Sequence, residues 1–436
     1  MWTASSLAIV LASTSKGVAA DADAAPLVPI ELQLVDGDVV HFATFQSHNQ
    51  KVASNRNGIF LTHLRNAEPG YRAQGWRLLR STDDGKTFAI VYESVDPTNP
   101  PALETDAQAN VYLARPDFVQ NQGYLHRFRA EGNYTEGLVT VLGGGFDGKF
   151  AAAIDERRGQ LYYMGNSTDA MQLRTVGLDG RLRRTDTLVT AGPHASLEYP
   201  HLLVSTDDVV HLAWTTVKYF KKEDKETRPY TYWDIHYMAS PDGGISWRRF
   251  DNTRLELPAP ADDTGPTDRI SLDDDFLPTS WLSAFHVKAG KAHFAYAARG
   301  TDGSTRHRYV RYDTQTGHKD QDLSPFFADW NFKSVTTSGL FASRRDAPDS
   351  PLYYVTGIDG RLVCKRSRDN GDSWQNYAAS DPAHTFRGSL YSIGGAREVT
   401  RDGHVIGTFT DARAGVKEYT ETGSAMYFFK IPVVGR

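Results

Sequence analysis

One cysteine in 436 residues, Cys364, excludes an internal disulfide and any cysteine-rich zinc module. Long apolar runs are absent too. The N-terminal run from Leu7 to Leu11 is too short for a membrane span, and no later stretch is long enough. Neither sign of charge dominates: 48 Lys and Arg stand against 53 Asp and Glu, for a net charge of −5. That balance argues against nucleic acid as the main partner, although a local basic groove for an acidic polymer is compatible with it. Helical periodicity is also missing, with no unbroken amphipathic stretch of about twelve residues. Apolar residues at 40% and charged residues at 23% describe a globular chain with material for a core.

What is present reads as β-strand almost throughout. The runs GIFLTHL, QLYYMGN, VVHLAWTTV, AHFAYAAR, PLYYVTG and HVIGTFTD are short, β-branched or aromatic, and bounded by Gly, Asp and Asn. The fold class is all-β. At the N-terminus, MWTASSLAIVLASTSKGVAADADAAP combines a short apolar run with a small-x-small signal at Val18-Ala19-Ala20. Residues 1–25 are therefore expected to be a signal peptide and leader, although no Lys or Arg precedes the apolar run. The mature protein is expected to be secreted or periplasmic, a monomer, and a single domain over residues 26–436.

Three segments share one pattern: STDDGKTF at 81–88, SPDGGISW at 240–247 and SRDNGDSW at 367–374. All fit Ser-x-Asp-x-Gly-x-(Thr/Ser)-aromatic, the Asp-box of bacterial neuraminidase (BNR) repeats. The Asp is expected to cap a tight turn, the Gly to take positive φ and the aromatic to pack beneath. Such boxes hold outer hairpins and carry no catalysis. Their spacings, 159 and 127 residues, divide into three and two units of about 53 and 64 residues, which is the rhythm of propeller blades. Inner strands on that rhythm start near Gln46, Asp106, Gly144, Tyr199, Trp281, Val335 and Ile393. A seven-bladed β-propeller is predicted, with six blades as the alternative, and Ile30–Phe45 pairs with the last blade to close the ring.

The stretch SHNQKVASNRNGIFLTHLR, residues 47–65, places His48 and His63 at the two ends of one hairpin. In a propeller both then reach the same face, near the central channel. HNQKVASNRNGIF, followed by GWRLLRSTDDGKTF, resembles the first blade of BNR-repeat carbohydrate-active propellers. That group comprises the ulvan lyases, the rhamnose–glucuronate lyases and a related family of rhamnosyl-glucuronate glycoside hydrolases. The likeness runs from about residue 38 to the C-terminus. It implies β-elimination at a 4-linked uronic acid by a His, His, Tyr, Arg set drawn from neighbouring blades. His48 and His63 fit the histidines. Tyr112, read on the inner strand of blade two, is the candidate tyrosine, with Gln108 the alternative occupant of its place. Arg129 or Arg127, read at the end of that blade's second strand, is the candidate arginine.

The chemistry independently calls for these residue types. Removing the C5 proton of a uronate builds negative charge on its carboxylate, which cationic or amide groups must stabilise. A neutral His or a Tyr can take the proton, and a Tyr or His can protonate the leaving oxygen. Asn49, Gln50, Arg127, Tyr199 and His201 are the candidate substrate contacts, with Trp281 and Arg299 as weaker subsite candidates. His211 and Trp214 read as core. The loop at 218–234 carries five Lys and Arg before Pro229 and reads equally as a lid over an acidic chain or a solvated loop. No metal or cofactor is required for the chemistry. Structural calcium at SLDDDF, 271–276, and zinc at Cys364 with His318 or His384 are minor alternatives. The expected partner is an acidic polysaccharide or oligosaccharide. A hydrolase on the same linkage and a non-catalytic carbohydrate-binding propeller compete with the lyase. A sialidase ranks last, because LVPIEL lacks the arginine of its N-terminal motif.

Overall fold

A computed structural model describes residues 26–433, apart from 66–72, 145–147, 168, 193–194, 219–230, 262–264, 272–279, 300–304, 321–334, 346, 384, 387–389 and 416–420. Among the described residues there is no α-helix, and no helix long and apolar enough to cross a membrane. The strands form seven antiparallel blades. Their inner strands are Val52–Asn55, Ala102–Thr105, Lys149–Asp155, Ala195–Val204, Ser280–Lys288, Val335–Ala342 and Leu390–Gly395. Each inner strand neighbours the next, and the seventh neighbours the first, so the ring is closed.

The alternation of side chains across a strand explains why the runs look continuously apolar. Blades are covered on both faces, so successive residues enter different cores. In Gln160–Asn166, Leu161 and Tyr163 pack between blades 2 and 3, while Tyr162 and Met164 pack between blades 3 and 4. The core is thus a ring of wedges between blades. Closure comes from the N-terminal strand Glu31–Val39, which pairs antiparallel with Ser424–Pro432 as the outermost strand of blade 7. Just before it, Val28–Pro29 adds a parallel edge to blade 6.

The three Ser-x-Asp-x-Gly segments follow the third strands of blades 1, 4 and 6 and share one hydrogen-bond pattern. The Ser hydroxyl accepts the Gly amide: Gly85 to Ser81, Gly244 to Ser240 and Gly371 to Ser367, at 2.7–2.8 Å. The Asp carboxylate accepts the amide four residues on, from Thr87, Ser246 or Ser373, at 2.8–2.9 Å. Gly85 has φ +85°, and a Cβ there would lie 2.5 Å from the Phe428 ring of blade 7. Gly85→Ala is accordingly expected to destabilise the protein by about 1–3 kcal/mol, read as a lower urea midpoint.

Blade 2 departs from the sequence-based placement. Its inner strand is Ala102–Thr105, so Val111–Asp117, which carries Tyr112, is the second strand. Arg127 lies in the third strand, Gln122–Phe128, and Arg129 follows it. The short inner strand ends just before the Asp106 turn, which the sequence reading took as its start.

Candidate active site at one channel mouth

The inner strands run in parallel from one mouth of the channel to the other, and His48 lies in the turns that lead into the first of them. Gln46, at φ +63°, bends that turn, and its side-chain amide donates to the Gly148 carbonyl at 2.6 Å. His48 Nε2 and Asn49 Nδ2 lie 3.0 and 2.9 Å from the Phe150 carbonyl, whose two lone pairs accept both. Burial, then the neighbouring His201 and Lys51, hold the His48 ring well below its ordinary pKa. A neutral ring that donates through Nε2 leaves Nδ1 as an acceptor.

Across from it, blade 4 carries a bulge between Glu198 and His201, and Tyr199 takes φ +48° there. A bulge re-aims side chains, and positive φ at a tyrosine is a strained state that surrounding contacts must hold. The Tyr199 ring meets His48 at 5.6 Å and Trp281 at 4.2 Å between centroids, and Tyr232 meets Trp281 at 4.4 Å. The His201 ring lies 5.2 Å from His48, and burial pushes it down to about 3. At the start of the blade 3 inner strand, Lys149 Nζ is 3.6 Å from the Glu198 carboxylate and 5.0 Å from the Tyr199 ring. Two neutral imidazoles, a phenol, an ammonium and a partly exposed aromatic shelf therefore share one mouth.

Deeper in, Arg397 bridges four blades. Its amide donates to Gln50 Oε1 at 3.0 Å, and its guanidinium to Glu104 at 2.8 Å and the Ala152 carbonyl at 3.1 Å. Burial raises the Glu104 carboxyl to about 7, against the pull of Arg397.

No protein-family model matches the sequence, and no curated protein matches it. Solved structures do match. An ulvan lyase of polysaccharide lyase family 25 aligns with a TM-score of 0.60 at 12% identity, over 90% of this chain and 94% of its own. An ulvan lyase of that family bound to -[GlcA(1-4)Rha3S]- gives 0.60 at 13% identity, over 90% and 94%. The polysaccharide lyase Uly1 gives 0.57 at 10% identity, over 94% and 100%. The chain has the fold of these polysaccharide lyases.

On this propeller, the residues singled out from sequence divide into groups. His48, Tyr199, His201 and Trp281 come together as described. His63 shares no partner with His48: its ring is fully buried, with Nδ1 2.7 Å from the Leu64 carbonyl and Nε2 4.0 Å from Asp36 of the closing strand. Asn49 and Gln50 have their amide hydrogens on Phe150, Gln46, Leu103 and Glu104, where they tie blades together. The Tyr112 phenol donates to Asp106 at 2.9 Å in the turn at the opposite mouth, and Arg127 lies over the Tyr112 ring. Neither they nor Arg129 touch His48. Tyr112→Phe is expected to keep activity within about two-fold and cost about 1 kcal/mol of stability, the worth of one hydrogen bond.

His211 bridges Ser205 and Tyr237, and Trp214 is core, as expected. Cys364 is also core, its thiol pushed up by burial. His318 sits in a blade 5 loop, whereas His384, the Asp run at 272–276, the loop at 219–230 and residues 1–25 lie outside the described residues. The sequence does not single out Lys149, the first residue of its inner strand, or Glu198, which the blade 4 bulge brings to it.

The buried imidazoles also set the acid stability. Burial holds His63 and His211 at about 4, and His201 and His286 at about 3. At these sites the unfolded chain binds more protons below pH 6.5, so the histidines' contribution to stability is full above that value and falls as pH drops from 6.5 towards 4. Urea unfolding at pH 7, 6 and 5 checks this as a declining midpoint.

Proposed function

We propose that this propeller is a polysaccharide lyase that cleaves a 4-linked uronic acid in a rhamnose–glucuronate glycan of ulvan or gum type, by β-elimination at the His48 mouth. The observation that carries the reading is the neutral His48 ring, whose Nε2 faces the Phe150 carbonyl and whose Nδ1 is left to accept a proton. The C5 proton passes to Nδ1, its electron pair forms the C4–C5 double bond, and the C4–O4 bond breaks. The leaving oxygen takes a proton from the Tyr199 phenol. Lys149 meets the uronate carboxylate, whose charge grows in the transition state. Trp281 and Tyr232 offer faces on which sugar rings stack. No step runs through a metal.

The test is ultraviolet absorbance during incubation with ulvan and with gum arabic, alongside an assay of reducing ends. Rising absorbance supports elimination. New reducing ends without absorbance move the assignment to hydrolysis of the same linkage, and neither signal leaves a binding propeller. Because His48 acts as a base only when neutral, the acid limb of kcat/KM is expected below pH 6.5. A limb at or above 6.5 contradicts a depressed His48.

A further inference from the structure

The turns that follow the seven inner strands enclose a cavity of about 790 Å³ at the mouth opposite His48, within the range of small-ligand sites. The Arg397–Glu104 bridge lines it. Three of its carboxylates, Glu104, Glu398 and Asp84, pair with an arginine or lysine, and Asp402 meets a histidine. The distances are 2.8 Å for Glu104 with Arg397, 3.3 Å for Glu398 with Arg345, 2.6 Å for Asp84 with Lys430 and 3.0 Å for Asp402 with His404. Asp106 accepts the Tyr112 phenol and the Asn110 amide.

Its cations are not all matched. Among the described residues, Arg344 and Arg401 have no carboxylate partner, and Arg56 donates to the backbone carbonyls of Ala107 and Gln108 at 2.7 and 2.8 Å. These three arginines come from the turns of blades 6, 7 and 1, which are consecutive around the ring. Burial also raises Glu104 and Glu156, so the far wall carries less negative charge than its composition suggests. His286, 7% exposed, lines the same cavity with Nε2 2.9 Å from Ser343 and Nδ1 without a protein partner. Three arginines without an ion pair on one arc repel one another, and an anion held between them relieves that repulsion.

We propose that this cavity binds an oligoanion, a short chain carrying carboxylate or sulfate groups, through Arg56, Arg344 and Arg401. The site is separate from the His48 mouth and stands whether or not that mouth performs elimination. Charge-assisted hydrogen bonds to such groups are the strong ones, and the planar guanidinium suits both carboxylate and sulfate.

Isothermal titration calorimetry with tetragalacturonate and, separately, inorganic sulfate tests it on two proteins. One carries Lys149→Met, which weakens the His48 mouth. The other adds Arg344→Ser and Arg401→Ser to that background; both arginines lack ion pairs, so the thermal midpoint is expected to stay unchanged and serves as the folding control. The expected result is tetragalacturonate binding to the first protein, weakened by salt, and a loss of about ten-fold or more in the second. Equal affinity in both, or no binding to the first, overturns the proposal. Sulfate binding without tetragalacturonate binding replaces the oligoanion with a small oxyanion and overturns it as stated.

Discussion

His48→Ala is expected to lower kcat/KM on the uronate polymer by about 10²–10⁴-fold, the usual worth of a positioned general base. The ring is held for this task by one hydrogen bond, Nε2 to the Phe150 carbonyl, and Asn49 makes a second bond to the same oxygen. Alanine therefore removes the base while the inter-strand tie through Asn49 persists. An unchanged urea midpoint with lost activity is the expected pairing. His63→Ala serves as the contrast: that ring is buried against Asp36, so its loss is expected to lower the midpoint, with activity following the folded fraction. If the two variants behave alike in both assays, His48 is not the base.

Lys149→Met is expected to cost about 10²–10³-fold in kcat, comparable to removing one preorganised group that stabilises transition-state charge. The side chain is partly exposed, 3.6 Å from Glu198, and lies over two aromatic rings, so its ammonium can turn to an incoming carboxylate. Methyl-esterified substrate separates this role from a structural one. An ester carries no charge to neutralise and is the easier substrate for elimination, so the variant is expected to act on it within a few-fold of the parent. An equal loss on acid and ester contradicts the assignment. Loss of Lys149 with Lys149→Arg restoring most of the rate is the accompanying expectation, because a cation at that position is what the chemistry needs.

The fold was legible where local signals are strong. GIFLTHL, QLYYMGN and HVIGTFTD match the strands Gly58–Leu64, Gln160–Asn166 and His404–Asp411 residue for residue. Ring closure by the N-terminal strand was legible as well, because Ile30–Phe45 precedes the first inner strand and needs a partner. Blade 2 was misplaced because its inner strand is only four residues, ALET, flanked by proline, while the next run, VYLARPD, is longer and fully buried. That slip of one strand carried Tyr112, Arg127 and Arg129 towards a channel they do not enter. His63 was placed at the correct end of its hairpin, but the partner that covers it, Asp36, arrives from the closing strand, a contact no local pattern encodes. Lys149 in GKFAAAI resembles any lysine at the edge of a glycine-rich turn; only the bulge that aims Tyr199 and Glu198 towards it marks it out.

The central claim is elimination, and heavy-oxygen water tests it most directly. Ulvan, or gum arabic if that is the polymer cut, is digested in this solvent and the oligosaccharide products are weighed by mass spectrometry. The account predicts unsaturated fragments lighter by one water than hydrolysis products, with no solvent oxygen beyond that gained by exchange at the reducing end. Saturated fragments carrying one heavy oxygen at each cut would contradict it.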